Sequence, residues 1–299
     1  MQNTQHFISA KTAEKPAVSG EKATEMAELD LHAVLLNAEG GGYVAMCPET
    51  HIGSQGETVE EAVANLREAN ELYLEARPGE CPQGETVGVA VIKPLTISVD
   101  ENAFGMDCKL PALSGKEIGR VLESLGYAFD RKSGNHMIYQ RLCESKYDRY
   151  YHTAIVPDAQ KVYPGALYWV LKGGGPTKNE FLAKTKPGYV APLPFPPAEP
   201  QPADAEDHGP YSEPSGKMKE IQVNAVLMNG VEGCYIPFNP ETGSCSSGDT
   251  IEEALAMVRE CTEFSIECSP EECPRGETVG VGIIKPMKVA VDASILADE

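Results

Sequence analysis

Gly56-Glu-Thr-Val-Glu-Glu-Ala62 returns 192 residues later as Gly248-Asp-Thr-Ile-Glu-Glu-Ala254, and the reading of this stretch decides how the whole chain is divided. Thr58 is followed three residues on by Glu61, the spacing at which a cap and the first helical turn satisfy each other's backbone donors. Val59, Ala62, Val63, Leu66, Ala69 and Leu72 then recur on one helical face, and Pro78 stops the helix. Upstream, Leu31 to Leu36 reads as a short apolar strand, Gly40-Gly-Gly42 as a turn and Tyr43 to Cys47 as a second strand. Downstream, Val87 to Val99, broken at Pro94, supplies the closing strand or strands. Residues 31 to 100 align with 223 to 292 without a gap, and about 35 of 70 positions are identical, which is an internal repeat. Each copy is therefore expected to be a small α+β layer with one helix on a sheet. A different stretch lies between them, so the two copies cannot stack as a solenoid.

Charge divides the chain at the same places. Residues 106 to 186 hold 13 Lys/Arg against 8 Asp/Glu, about +5, so the remainder carries about −25 of the total −20. The same stretch contains 10 of the 20 aromatic residues, Trp169 among them. A basic, aromatic-rich module thus lies between two acidic ones, and opposite signs in one chain let the flanks compete with a polyanion for the centre. The 299 residues are expected to form three α+β domains. The expected layout is a disordered polar arm over 1–28, a first domain over 29–103, the central domain over 106–186, a proline-rich linker over 187–217 and a second copy over 218–299. No apolar run reaches the ~18 residues that span a bilayer, and the N-terminus lacks the apolar core of a signal peptide, so a cytoplasmic protein without a membrane partner is expected. Nine cysteines without paired Cys-x-x-Cys units point to free thiols, with no metal site and no cofactor.

In the centre, Ser114 precedes Glu117 at capping-box spacing, and Ile118, Val121, Leu122 and Leu125 share a helical face that ends at Gly126. Tyr127 to Arg131 and His136 to Gln140 are strand-like runs around a Ser133-Gly134-Asn135 turn, and Tyr151 to Val156 is a third strand. A second helix starts at Pro164, so the order is α-β-β-β-α in two layers.

In the flanks, Tyr43-Val-Ala-Met-Cys-Pro48, Gly56-Glu-Thr-Val-Glu-Glu-Ala62 and Leu72-Tyr-Leu-Glu75 resemble the HicB antitoxin family. That resemblance implies a partial RNase H-like fold that binds a toxin. The family often adds a DNA-binding domain, and the residues after Asp292 are too few for one, so promoter autoregulation by this chain alone is not expected. In the centre, Lys109-Leu-Pro111, Ser114-Gly-Lys-Glu117, Leu125-Gly-Tyr127, Arg131-Lys-Ser-Gly-Asn-His136 and Val156-Pro157 resemble the HicA toxin family. HicA proteins have a double-stranded-RNA-binding-domain-like (dsRBD-like) fold and act as mRNA interferases with one essential histidine. The resemblance places His136 on that histidine. It departs from the family at Asn135, where serine is usual, in a long loop from Arg141 to Tyr150, and at Tyr168-Trp169, where more polar residues are expected.

The chemistry implied is metal-independent cleavage of RNA by its own 2′-hydroxyl. Histidine can take or give the proton near neutral pH, which makes His136 the candidate catalytic residue. Lys116, Arg131 and Lys132 are candidates to hold phosphate oxygens, with Gly134 and Asn135 shaping the RNA-binding turn. If Gln140 faces Tyr151 across the hairpin, His136 faces Ile155, and His152 falls near the other end as a structural residue. Glu60-Glu61 and Glu252-Glu253 read as helix N-terminal charges. Three readings follow: a fused toxin-antitoxin protein whose HicA-like endoribonuclease is masked in cis, a non-catalytic antitoxin-like protein that sequesters a separate HicA-type toxin, or an RNA-binding regulator. Partners are correspondingly mRNA, the chain's own flanks, and a separate toxin or a second copy. The first flank, tied to the centre by about eight residues, is the expected inhibitor.

Overall fold

A computed structural model describes residues 26–82, 91–105, 107–144, 149–191, 216–230, 233–275 and 278–296. The first copy contributes strands β1 (Met26–Ala38), β2 (Tyr43–Cys47) and β3 (Ile52–Gly56), helix α1 (Val59–Ala76) and strand β4 (Val91–Asp100). A five-residue helix α2 (Glu101–Gly105) leads into the centre, which consists of α3 (Gly115–Ser124), β5 (Ala128–Ser133), β6 (His136–Glu144), β7 (Arg149–Pro157), α4 (Pro164–Lys172) and α5 (Lys178–Thr185). The second copy contributes β8 (Met218–Asn229), β9 (Tyr235–Phe238), α6 (Ile251–Cys268) and β10 (Thr278–Asp292). The fold is α+β, with three small sheets. The residues expected to form a disordered arm lie outside the described ones up to residue 25, whereas Met26 to Glu28 already pair in β1. Most of the expected proline-rich linker, 192–215, also lies outside them.

The closing strands are exchanged between the copies. β10 pairs with β1 in the four-stranded order β10-β1-β2-β3, while β4 pairs with β8 in the order β4-β8-β9. The two ladders are equivalent at the 192-residue offset: Met26 faces Asp292, and Met218 faces Asp100. The helices confirm the exchange, because Ala290 N–H donates to Glu71 (3.2 Å) and Ser98 N–H donates to Glu263 (2.7 Å), each a contact from one copy's strand to the other copy's helix. The strand after each helix therefore closes a sheet as expected, but the sheet is the other copy's. Sequence patterning cannot distinguish the two arrangements, since both copies carry the same alternation and either strand satisfies either edge.

The shared signature has a local physical reason. Thr58 and Thr250 accept from Glu61 and Glu253 N–H at their helix starts. Those two glutamates in turn accept from Glu57 and Asp249 N–H, both at 3.0 Å, which fixes them as caps. A side chain at Gly56 or Gly248 would overlap the backbone of Ala62 or Ala254, so the strand crosses the helix start only through glycine.

The central sheet, β5-β6-β7, uses only central strands. Ser114 and Glu117 form the full capping box, and Ile118 and Leu122 are buried beneath β6 with Met137 and Tyr139. The order α-β-β-β-α is observed with a further short helix, α5, after it. The hairpin register differs from expectation: Gln140 faces Thr153 and His136 faces Pro157. Both strands extend to Glu144 and Arg149, and the resulting shift of two residues keeps His136 and Gln140 on the same face as the expected register does.

Candidate functional site

His136 opens β6 and its whole residue is buried, 0% exposed, under the first copy. The Nδ1 atom lies 2.9 Å from Glu68 Oε1 of α1, and Nε2 lies 3.0 Å from Ser54 Oγ of β3. A carboxylate only accepts, so Nδ1 carries a proton and donates it. In the neutral imidazole Nε2 is then an acceptor for the Ser54 hydroxyl. Both nitrogens are thereby engaged.

The turn before His136 is gripped by the same helix. Asn135 N–H donates to Glu68 at 2.8 Å, and its side-chain amide donates to Asn65 at 3.1 Å. Gly134 adopts φ 50°, and a side chain there would overlap the Glu68 carboxylate, so glycine serves both the turn and the approach of α1. Arg131 pairs with Glu75 at 3.0 Å as well as with Asp130 of its own module. The hydrogen bond from His136 holds the Glu68 carboxyl below its usual range.

The structure brings Arg131, Lys132, Gly134, Asn135 and His136 together at one end of the central sheet. Of these, Lys132 pairs within the module, with Asp158 at 2.5 Å. Lys116 is exposed at the start of α3, whose Gly115 lies against Pro157, the residue facing His136. His152 faces Arg141, five positions along the ladder from His136. Its burial lowers its pKa and nothing brings it to the site.

Around this contact the acidic flank complements the basic centre. Gln55 accepts from Tyr163 N–H at 2.6 Å and donates to Lys161 C=O at 2.8 Å, while Tyr163 OH donates to Glu57 at 2.8 Å. Lys109 pairs with Glu39 at 2.5 Å. Ile138 and Ile155 join the buried cluster of Leu66, Leu72 and Ile52, so an apolar seam underlies the charged rim.

The second copy also contacts the centre, at α4 and α5. Trp169 of α4 is buried between His51 of the first copy (ring centroids 6.4 Å apart) and Phe238 of the second (5.8 Å). Lys172 pairs with Glu272 at 3.3 Å, and Lys178 and Asn179 donate to Glu271 C=O and carboxylate at 2.6 and 2.8 Å. Tyr168-Trp169, apolar where a polar stretch was expected, is thus the part of the centre that both copies enclose.

Ser54, Asn65 and Glu68 were not singled out as site residues by sequence reasoning. Glu68 recurs as Glu260, but a repeated acid on a helix does not reveal which basic surface it meets. The basic turn was legible, and the sign of its partner followed from charge.

Two relatives frame this arrangement. UPF0150 protein ssr1765 of Synechocystis sp. is 44% identical over 70 residues, covering 23% of this chain and 87% of that protein. UPF0150 protein ssl0738 of the same organism is 41% identical over 56 residues, 18% of this chain and 78% of that protein. The chain belongs to the UPF0150 family. UPF0150 is the HicB-like family, and the match spans about a quarter of the chain, so membership is carried by a HicB-like region. No protein-family model and no solved structure matches the chain. Among the described residues no helix is long and apolar enough to cross a membrane, and no group of three or more His, Cys, Asp or Glu is placed to hold a metal ion.

Proposed function

We propose that the chain is a fused toxin-antitoxin protein in which a HicA-like mRNA endoribonuclease is masked in cis by HicB-like flanks of partial RNase H-like type. The observation that carries this reading is the burial of His136 between Glu68 and Ser54, with both ring nitrogens occupied. In the freed module, which this reading takes as dsRBD-like, Nε2 takes the proton of an RNA 2′-hydroxyl. The 2′-oxygen bonds to phosphorus, the bond to the 5′-oxygen breaks, and that oxygen takes a proton from water as it leaves and a 2′,3′-cyclic phosphate forms. Lys116, Arg131 and Lys132 hold the phosphate oxygens, a positioning role without sequence information. In the docked state Ser54 Oγ stands where the substrate hydroxyl would sit, and Glu75 neutralises Arg131, so the first flank blocks proton transfer and phosphate binding together.

The test uses the full chain. Glu68→Arg with Glu75→Arg sets cations against Arg131 and His136 and should expel the turn from α1. Cells expressing that chain should arrest and their transcripts should be cut, whereas adding His136→Ala should restore growth and wild type should be harmless throughout. Equal harmlessness of the released chain and its His136→Ala version would refute the nuclease reading.

A further inference from the structure

We infer that the cavity between the two copies at His51 and Cys245 is a binding site for a small aromatic amine. The inference does not require that the centre cut RNA.

Because the two exchanged ladders are equivalent at the 192-residue offset, a place between the copies has a twin in which the copies trade roles. In one such pair, one member is open and the other is filled by the chain itself. The open member, a cavity of about 460 Å³, lies between Glu49, His51 and Glu80 of the first copy and Met228, Phe238 and Cys245 of the second. At the offset these residues become Glu241, Gly243 and Glu272 of the second copy and Leu36, Met46 and Gly53 of the first. The centre fills that twin. A side chain at Gly53 would overlap Trp169 Cβ, and one at Gly243 would touch the edge of the Trp169 ring. One turn further along α4, Lys172 pairs with Glu272 at 3.3 Å. An aromatic ring followed by an ammonium group is therefore what this kind of place accepts.

The open member is suited to the same chemistry and carries more negative charge. Asp30 stands at its rim where the twin has Gln222, and among the described residues no Lys or Arg lines it. Lys288 faces Asp30 across the ladder but pairs with Glu28 at 2.6 Å, which leaves Asp30 to the cavity. The Glu49 side chain is 5% exposed and accepts from His32 Nδ1 (2.6 Å) and Cys47 Sγ (3.1 Å), bonds that favour its ionised form. Glu80 is engaged by Arg77 at 3.0 Å, so Asp30 and Glu49 are the carboxylates that select a cation. Leu31, Met228, Ile236 and Phe238 supply apolar wall, and His51 adds a ring where the twin has glycine. A cavity of this size, apolar with a few placed charges, has the build of a small-molecule site. An ammonium group near the Phe238 ring gains further from the face of that ring. The centre's own aromatic and lysine are spent on the twin, so the occupant here is a separate molecule.

Titration of the full chain with phenethylamine tests this, read by calorimetry and by the emission of Trp169, whose neighbours His51 and Phe238 line the cavity. Saturable binding is expected. Phenethyl alcohol keeps the ring without the charge and phenylacetate reverses the charge, and each should bind at least about ten-fold more weakly. Asp30→Gln, which installs the twin's residue at an exposed position, should weaken the amine about three-fold, the scale of an exposed charge pair. Glu49→Gln should weaken it about ten-fold, the scale of a covered one. The amine should also slow alkylation of Cys245 and leave that of Cys268, exposed on α6, unchanged. That readout needs no variant, so it decides the matter even if Glu49→Gln does not fold. Absence of saturable binding, equal affinity for the amine, the alcohol and the acid, binding indifferent to Asp30→Gln, or saturation without protection of Cys245 would each overturn the inference. Because binding is read without RNA, a failure here leaves the nuclease reading standing, and a failure of cleavage leaves this one standing.

Discussion

The two copies of the repeat share caps, helix length and strand exchange, yet one closes over a histidine and the other presents the same acids to solvent. The differences lie in what each copy shows to its neighbours rather than in what folds it. Buried Leu66 and Val258 occupy equivalent core positions, as do Asn70 and Thr262, which donate back to the Leu66 and Val258 carbonyls. The loops diverge more. His51 sits at φ 57° where the second copy has Gly243 at φ 75°, so the first copy accepts a left-handed histidine to place a ring on Trp169. The half-buried pair His32–Glu49 (2.6 Å) is replaced by Asn224 donating to Glu241 (2.6 Å), which exchanges a titratable donor for a neutral one. Duplication has thus kept the scaffold and varied the surface. Strand exchange also binds the copies to each other, because the β1–β10 and β4–β8 ladders both cross between them. A cut between residues 192 and 215 would leave both ladders intact, so chain cleavage there is a poor way to release the centre.

The largest effect on the comparison should come from removing the residue both copies share. Trp169→Ala deletes a ring enclosed by His51 and Phe238, and large-to-small aromatic changes in buried sites cost about 3–5 kcal/mol. Denaturant unfolding followed by circular dichroism should show a loss in that range. A loss below ~1 kcal/mol would mean that the two copies do not hold the centre through this ring.

Much of this arrangement was readable from residues alone, and the unreadable part has a physical cause. Helix α1 and its twin were set by Thr58 and Thr250, and the central order by Ser114, Gly126 and the Ser133-Gly134-Asn135 turn. These are local signals, satisfied within a few residues. Strand exchange was not legible because Val91–Asp100 and its counterpart carry equivalent patterns. The short connection after Asp100 predicts a centre tied to the first copy, but β4 lies in the second copy's sheet, so contact with α1 is set by surface complementarity. Trp169 looked anomalous for the same reason: its partners are 118 residues upstream and 69 downstream at His51 and Phe238.

An intermediate effect separates the copies directly. Glu68→Ala leaves His136 Nδ1 and Asn135 N–H without their acceptor in a covered site, a loss of about 1–3 kcal/mol. Glu260→Ala at the equivalent exposed position should stay within ~0.5 kcal/mol. Paired denaturation curves of the two variants check this, and equal costs would show that the α1 contact adds nothing to the fold.

The smallest effect is the acid response of His51 in the first copy, which adds to that of His152 in the centre. Burial holds the His51 pKa below its usual 6.5, so the unfolded chain binds a proton there that the folded chain resists. Stability should therefore fall as pH drops below about 6.5. The Glu68 carboxyl is held low by the His136 hydrogen bond. Burial pushes Glu49 up, but the hydrogen bonds from His32 and Cys47 outweigh it and leave that carboxyl low as well. Their contribution is fully present above the usual carboxylate value of 4.5 and is lost as pH falls through the lower folded values. Gly243 and Asn224 cannot titrate in place of His51 and His32, so the second copy lacks these two histidine groups. Trp169, the single tryptophan, lies beside His51 and reports the upper limb by its fluorescence. A change in emission between pH 7 and 5 should appear in wild type and vanish in His51→Gly, a substitution the backbone accepts because glycine already occupies that conformation at 243. If the change survives in His51→Gly, the acid response does not originate at the strained loop that distinguishes the first copy from the second.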